Sequence, residues 1–89
     1  MIRRQLTIIN KLGLHARAAS HLVKTASGFS SQIRVEREGA SADAKSIMGL
    51  LLLAAAKGHT VTVTAAGEDE AAAMAAVEGL IRDRFHEEQ

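Results

Sequence analysis

The chain of 89 residues has no cysteine, no proline, no tryptophan and no tyrosine. Without cysteine, disulfides, zinc-thiolate sites, iron–sulfur clusters and thiol nucleophiles are excluded. The two aromatic residues, Phe29 and Phe85, are too few for a surface that stacks bases, which argues against a nucleic-acid reader. Long hydrophobic runs are also missing. The longest, Ile47 to Ala56, spans ten residues and includes Gly49, whereas a membrane span needs about 20. Met1-Ile2-Arg3-Arg4 leads into alternating apolar residues, so no signal peptide is expected. A single cytoplasmic domain over residues 1–89, without membrane insertion, is the expectation.

Apolar residues make up 47% of the chain, but 17 of them are alanines. The rest suffice for one compact core. Charge is unevenly placed. Residues 1–45 carry eight Lys/Arg against three acids, and residues 46–89 carry three against seven, giving +5 and −4. Between Asn10 and Gln32 there is no acid at all. That stretch suits an anionic group or an acidic partner.

The pattern predicts the order β-α-β-β-α-β-α. Gln5 to Ile8, Gln32 to Glu36 and Thr60 to Thr64 alternate with the period of a half-buried strand, and a weak strand follows through Ala40 to Asp43. Ala19, Leu22, Val23 and Ala26 recur with helical spacing from Ala16, and Gly28 ends that helix. A short apolar helix starts after Ser46, with Leu50, Leu52 and Leu53 expected in the core or at its rim. The last helix is expected from the acidic turn Glu68-Asp69-Glu70 to about Phe85, with Met74, Val77, Ile81 and Phe85 inward. The fold class is α/β (α+β), an open-faced sandwich with one mostly antiparallel four-stranded sheet and three helices on one face.

No Walker loop or GxGxxG appears, and the four histidines (His15, His21, His59 and His86) lack metal-ligand spacing. Neither a metal nor a cofactor is expected. The acidic trio reads as a solvated helix start, and His21 as a solvated polar residue. His15 stands apart, because it directly precedes a helix. There it faces unpaired backbone N–H donors, with Arg17 in the same first turn. This positive setting favours a neutral imidazole, whose lone pair is nucleophilic near pH 7. A captured phosphoryl group would meet donors already in place.

Asn10-Lys11-Leu12-Gly13-Leu14-His15-Ala16-Arg17-Ala18-Ala19 resembles the active-site segment of the histidine-containing phosphocarrier family, HPr. Ala44-Lys45-Ser46-Ile47-Met48-Gly49 is similar to that family's regulatory-serine segment. The resemblance implies a phosphoryl relay in bacterial sugar transport or nitrogen regulation. Enzyme I, charged by phosphoenolpyruvate, would phosphorylate His15 at Nδ1, and an enzyme IIA would receive the group. Arg17 would position and release it. Such a protein is a substrate of enzymes more than an enzyme itself, and a monomer. The resemblance also implies regulation of Ser46 by HPr kinase/phosphorylase, and docking through Leu14, Ser20, Lys24, Ile47, Met48 and Leu51. A phosphate on Ser46 would repel acidic partners.

One residue departs from the family pattern, which usually has proline where Ala18 stands. Phosphorylation is expected to survive and the phosphohistidine lifetime to change; its hydrolysis rate beside an Ala18→Pro variant checks this. An ACT-like amino-acid-binding regulatory module is the alternative reading. A KH- or RRM-like RNA binder lacks its GXXG loop or aromatic strands.

Overall fold

The computed structural model describes residues 1–87, so the last two positions of the expected 1–89 domain lie outside it. The strands are β1 (Ile2–Thr7), β2 (Gln32–Arg37), β3 (Ala40–Asp43) and β4 (Thr60–Ala66). They form one antiparallel sheet in the order β1-β4-β2-β3. The helices are α1 (Ala16–Ser27), α2 (Ile47–Leu52) and α3 (Glu70–Arg82), and the expected element order holds. No helix among the described residues is long and apolar enough to cross a membrane.

Alternation decides which face of the sheet the helices cover. In β4, Val61, Val63 and Ala65 are buried while Thr60, Thr62 and Thr64 turn the other way. The register places Val63 beside Val35 of β2 and Val61 beside Leu6 of β1, so one apolar layer runs across the strands. Each such valine contributes roughly 1.5–3 kcal/mol by leaving water. Ala18, Ala19, Leu22 and Ala26 of α1 complete the core from above, together with Met74, Val77 and Ile81 of α3. Alanines let α1 approach closely. The opposite face carries Arg3, Gln5, Arg34 and Glu36 and stays open.

Turn chemistry sets the connections. Glu38 and Gly39 both have positive φ (49° and 85°) and link β2 to β3 with Arg37 opposite Ala40. Two left-handed residues match the twist of a tight hairpin. Gly28 ends α1 as expected, but in ordinary right-handed geometry, with φ −76°.

The end of the last helix differs from expectation. α3 stops at Arg82, and Arg84, Phe85 and His86 form a turn with φ of 54°, 54° and 66°. Left-handed backbone costs a residue with a Cβ about 1–2 kcal/mol. Phe85, fully buried and among the largest core side chains, offsets that strain. The same turn folds the chain back toward the start of α1.

The acidic start of α3 is more than a solvated turn. Asp69 accepts from the Ser30 and Ser31 N–H groups, each at 2.9 Å, and from the Ser31 hydroxyl. Glu70 pairs with the N-terminal ammonium at 3.0 Å. The Ser31 hydroxyl, then the Ser30 amide, hold the Asp69 carboxyl down to about 2. A lowered carboxylate stabilises the fold above its unfolded pKa of about 3.9, and that contribution is lost as pH falls toward 2. The thermal midpoint should therefore drop between pH 5 and pH 2. The gap between the protein and Asp69→Asn should narrow over the same range; a constant gap would refute this role.

Candidate functional site

The site is built on the loop before α1. Asn10 is fully buried, and its Nδ2 donates to the Gly13 carbonyl at 2.8 Å. Gly13 takes φ +65°, and the next amide, that of Leu14, donates to the Ala55 carbonyl at 2.8 Å. These bonds fix the backbone that delivers His15 to the helix start. His15 is the N-cap of α1, in extended conformation (φ −83°, ψ −176°).

The two ring nitrogens meet different groups. Nδ1 accepts from the Arg17 backbone N–H at 3.3 Å. Nε2 contacts the Glu87 carboxylate through Oε2. The other carboxylate oxygen, Oε1, accepts from Asn10 Nδ2 at 2.7 Å. In the neutral ring only one nitrogen carries hydrogen. An Nδ1 that accepts and an Nε2 that faces a carboxylate place the proton on Nε2, leaving the Nδ1 lone pair at the helix N-terminus. Burial raises the Glu87 carboxyl, but hydrogen bonds from Asn10 and His15, with the charges of His15 and Arg17, bring it below the usual range.

The His15 side chain is 27% exposed, so a partner can reach it. The Arg17 side chain is exposed and makes no ion pair among the described residues. The early amides of α1 have no carbonyl four residues back, and the first such bond runs from Ala19 N–H to the His15 carbonyl. Ala18 lies in this turn, fully buried. An anion at Nδ1 would meet these amides, with the exposed Arg17 side chain on the same first turn, an arrangement suited to phosphate.

The second expected site has the geometry of a helix cap. Ser46 is the N-cap of α2, and its Oγ accepts from the Gly49 N–H at 3.1 Å. Ile47 and Met48 are exposed beside it, Met48 at 68%. Ser20 and Lys24 are exposed one helical turn apart on α1.

Four expectations need correction. Leu14 is only 5% exposed and packs in the core, because its amide is tied to Ala55; it offers no surface for docking. Leu51 is half-buried against the core, so it is at most an edge of the patch. Leu52 is 79% exposed where core or rim was expected, while Leu50 and Leu53 are buried. His21 is half-buried and meets the His86 ring edge-on, with centroids 5.3 Å apart.

Sequence reasoning placed Asn10 in the active-site segment without a role for its side chain, and missed Glu87 altogether. Glu87 is 72 positions from His15, so no spacing joins them. The one available signal was a charge: the acid-free segment around His15 leaves a cationic surface that a distant carboxylate can meet.

Fold and site together define a class of protein: a small open-faced sandwich that presents one imidazole at a helix start. Comparison with known proteins agrees. The family model described as "PTS HPr component phosphorylation site" matches residues 2–83. The phosphocarrier protein HPr of Cupriavidus necator is 53% identical over 87 residues, covering 98% of both chains. The phosphocarrier protein NPr of Shewanella violacea is 43% identical over 86 residues, covering 97% of this chain and 94% of that one. A crystal structure of HPr-C-His from Thermoanaerobacter tengcongensis superposes with a TM-score of 0.96 at 46% identity, covering all of both chains. The chain belongs to the HPr family, the phosphocarriers of the phosphoenolpyruvate-dependent phosphotransferase system. That assignment displaces the ACT-like alternative.

Proposed function

We propose that this protein carries a phosphoryl group on His15, accepting it from enzyme I and passing it to an enzyme IIA of a sugar or nitrogen branch. The observation that carries the reading is the Nδ1 lone pair held at the start of α1. In acceptance that pair attacks phosphorus in line with the departing donor nitrogen. The α1 amides and Arg17 neutralise the phosphoryl oxygens. Phosphoryl transfer depends mainly on such positioning and charge neutralisation, so a small domain without a pocket suffices. The protein acts in the cytoplasm as a monomeric single domain over residues 1–89, without nucleic acid.

Docking is assigned to Ser20 and Lys24, exposed along α1, and to Ile47 and Met48, exposed at the start of α2. Ser46 is the regulatory position, a substrate for HPr kinase/phosphorylase. Its hydroxyl already caps α2, where a phosphate is compatible with the helix and places its charge beside the apolar patch.

Labelled phosphoenolpyruvate and enzyme I test the proposal. Acid-labile, alkali-stable label on the protein, absent from His15→Ala, is expected; an unlabelled protein beside an active enzyme I would refute it. In the same assay Ser46→Asp should slow initial loading on the order of tenfold, equivalent to about 1.4 kcal/mol. An unchanged rate would remove Ser46 from regulation.

A further inference from the structure

Beyond α3 the chain does something the carrier reading does not require. The left-handed turn Arg84–His86 buries Phe85 and returns Glu87 to the His15 ring, on the side away from Nδ1. Asn10, buried beneath the loop, holds the other oxygen of the same carboxylate while its Nδ2 also binds Gly13. Two independent anchors, one apolar and one polar, thus fix where the carboxylate sits. Of the neighbouring charged groups, Arg17 adds its charge to the setting of Glu87 while its backbone N–H meets Nδ1, and His86 is engaged by Asp83 at 2.6 Å.

We infer that Glu87 is a positioning residue that keeps the His15 proton on Nε2, before and after phosphoryl transfer, and so keeps Nδ1 as the reacting nitrogen. This rests on the phosphocarrier reading. A carboxylate behind a histidine selects the tautomer and the ring orientation, and stabilises the positive ring that forms in reaction. The step balances. The Nδ1 lone pair makes the new N–P bond, the bond between phosphorus and the donor nitrogen breaks, and its electron pair stays on the donor. The Nε2 proton remains in place. The phosphorylated ring then carries a positive charge, which faces Glu87, while the phosphoryl oxygens face the α1 amides.

The test uses the full chain with ¹⁵N-labelled histidine at pH 8.5. The wild-type His15 ring should show a protonated Nε2 and an unprotonated Nδ1. In Glu87→Ala the two resonances should move toward each other as the second tautomer becomes populated. The kcat for loading by enzyme I should fall on the order of tenfold with KM unchanged, since orienting partners of this kind are worth about 10–100-fold at histidine metal sites. Glu87→Gln retains a neutral acceptor and should restore most of the wild-type resonance pattern. Phe85 stays buried in both variants, so thermal midpoints should move little. Resonances in Glu87→Ala identical to the wild type would overturn the inference. They are read without enzyme I, so this result is separate from a failure of wild-type loading, which would strike at the carrier role itself.

Discussion

Replacing Gly13 by alanine is expected to destabilise the protein by about 2–5 kcal/mol, adding the left-handed strain of about 1–2 to an overpacking cost of about 1–3. A Cβ at Gly13 would lie 2.6 Å from the Ala55 carbonyl oxygen and 2.8 Å from the Ala56 Cα. Both are backbone atoms, so neither yields by a side-chain rotation. Relief would pull the loop from Ala55 and break the Leu14 N–H bond to that carbonyl. Leu14 directly precedes His15, so the imidazole would leave its place at the start of α1. Thermal melting should show a fall of at least about 10 °C. Gly58 supplies the contrast: its φ is +90°, yet a Cβ there meets nothing within 4 Å. Gly58→Ala should therefore cost only the left-handed strain, about 1–2 kcal/mol. Equal losses in the two variants would show that close approach at Gly13 contributes nothing.

The second large effect is expected from Phe85→Ala, at about 3–5 kcal/mol. Phe85 is fully buried, and it is the apolar anchor of a turn that carries left-handed backbone. Without the ring, the polar contacts of the tail must offset that strain alone, and its return toward His15 should loosen. Chemical denaturation reads the first consequence. The second is a change in the His15 ring nitrogens like that expected for Glu87→Ala, although residue 87 is untouched. Phe85→Leu, which keeps most of the apolar volume, should cost less than about 1.5 kcal/mol. A Phe85→Ala protein as stable as the wild type would mean that the tail does not contribute to the core.

Much of the fold is legible in the sequence, because its elements follow local rules. The Thr-Val alternation of β4 needs only the period of two, and Gly39, which accepts positive φ freely, marks the turn between β2 and β3. The switch of period at Ala16 places His15 at the first turn of α1. The end of α3 is not legible in this way. Phe85 follows Ile81 by four positions, as a continuing helix would demand, and both side chains are buried. A left-handed turn brings Phe85 inside by another route, with no glycine or proline to mark it. Leu52 escapes the pattern because α2 has only six residues, too few for periodicity to separate its faces. Leu14 escapes it because its burial depends on a backbone bond to Ala55, 41 positions away.

Half of the site is hidden for the same physical reason. Arg17 lies two positions from His15, so its amide is at the ring by local geometry alone. Glu87 reaches the ring, and Asn10 reaches Glu87, only through tertiary folding. The positive charge counted around residues 10–32 has its counterweight in the last described residue rather than in a neighbouring element.

The decisive measurement is of the atom that carries the phosphoryl group. The protein, labelled with ¹⁵N in its histidines and charged by enzyme I and phosphoenolpyruvate, should show one ³¹P resonance coupled to Nδ1 of His15, with Nε2 still protonated. Coupling to Nε2, or to a nitrogen of His21, His59 or His86, would contradict the phosphocarrier mechanism proposed for His15.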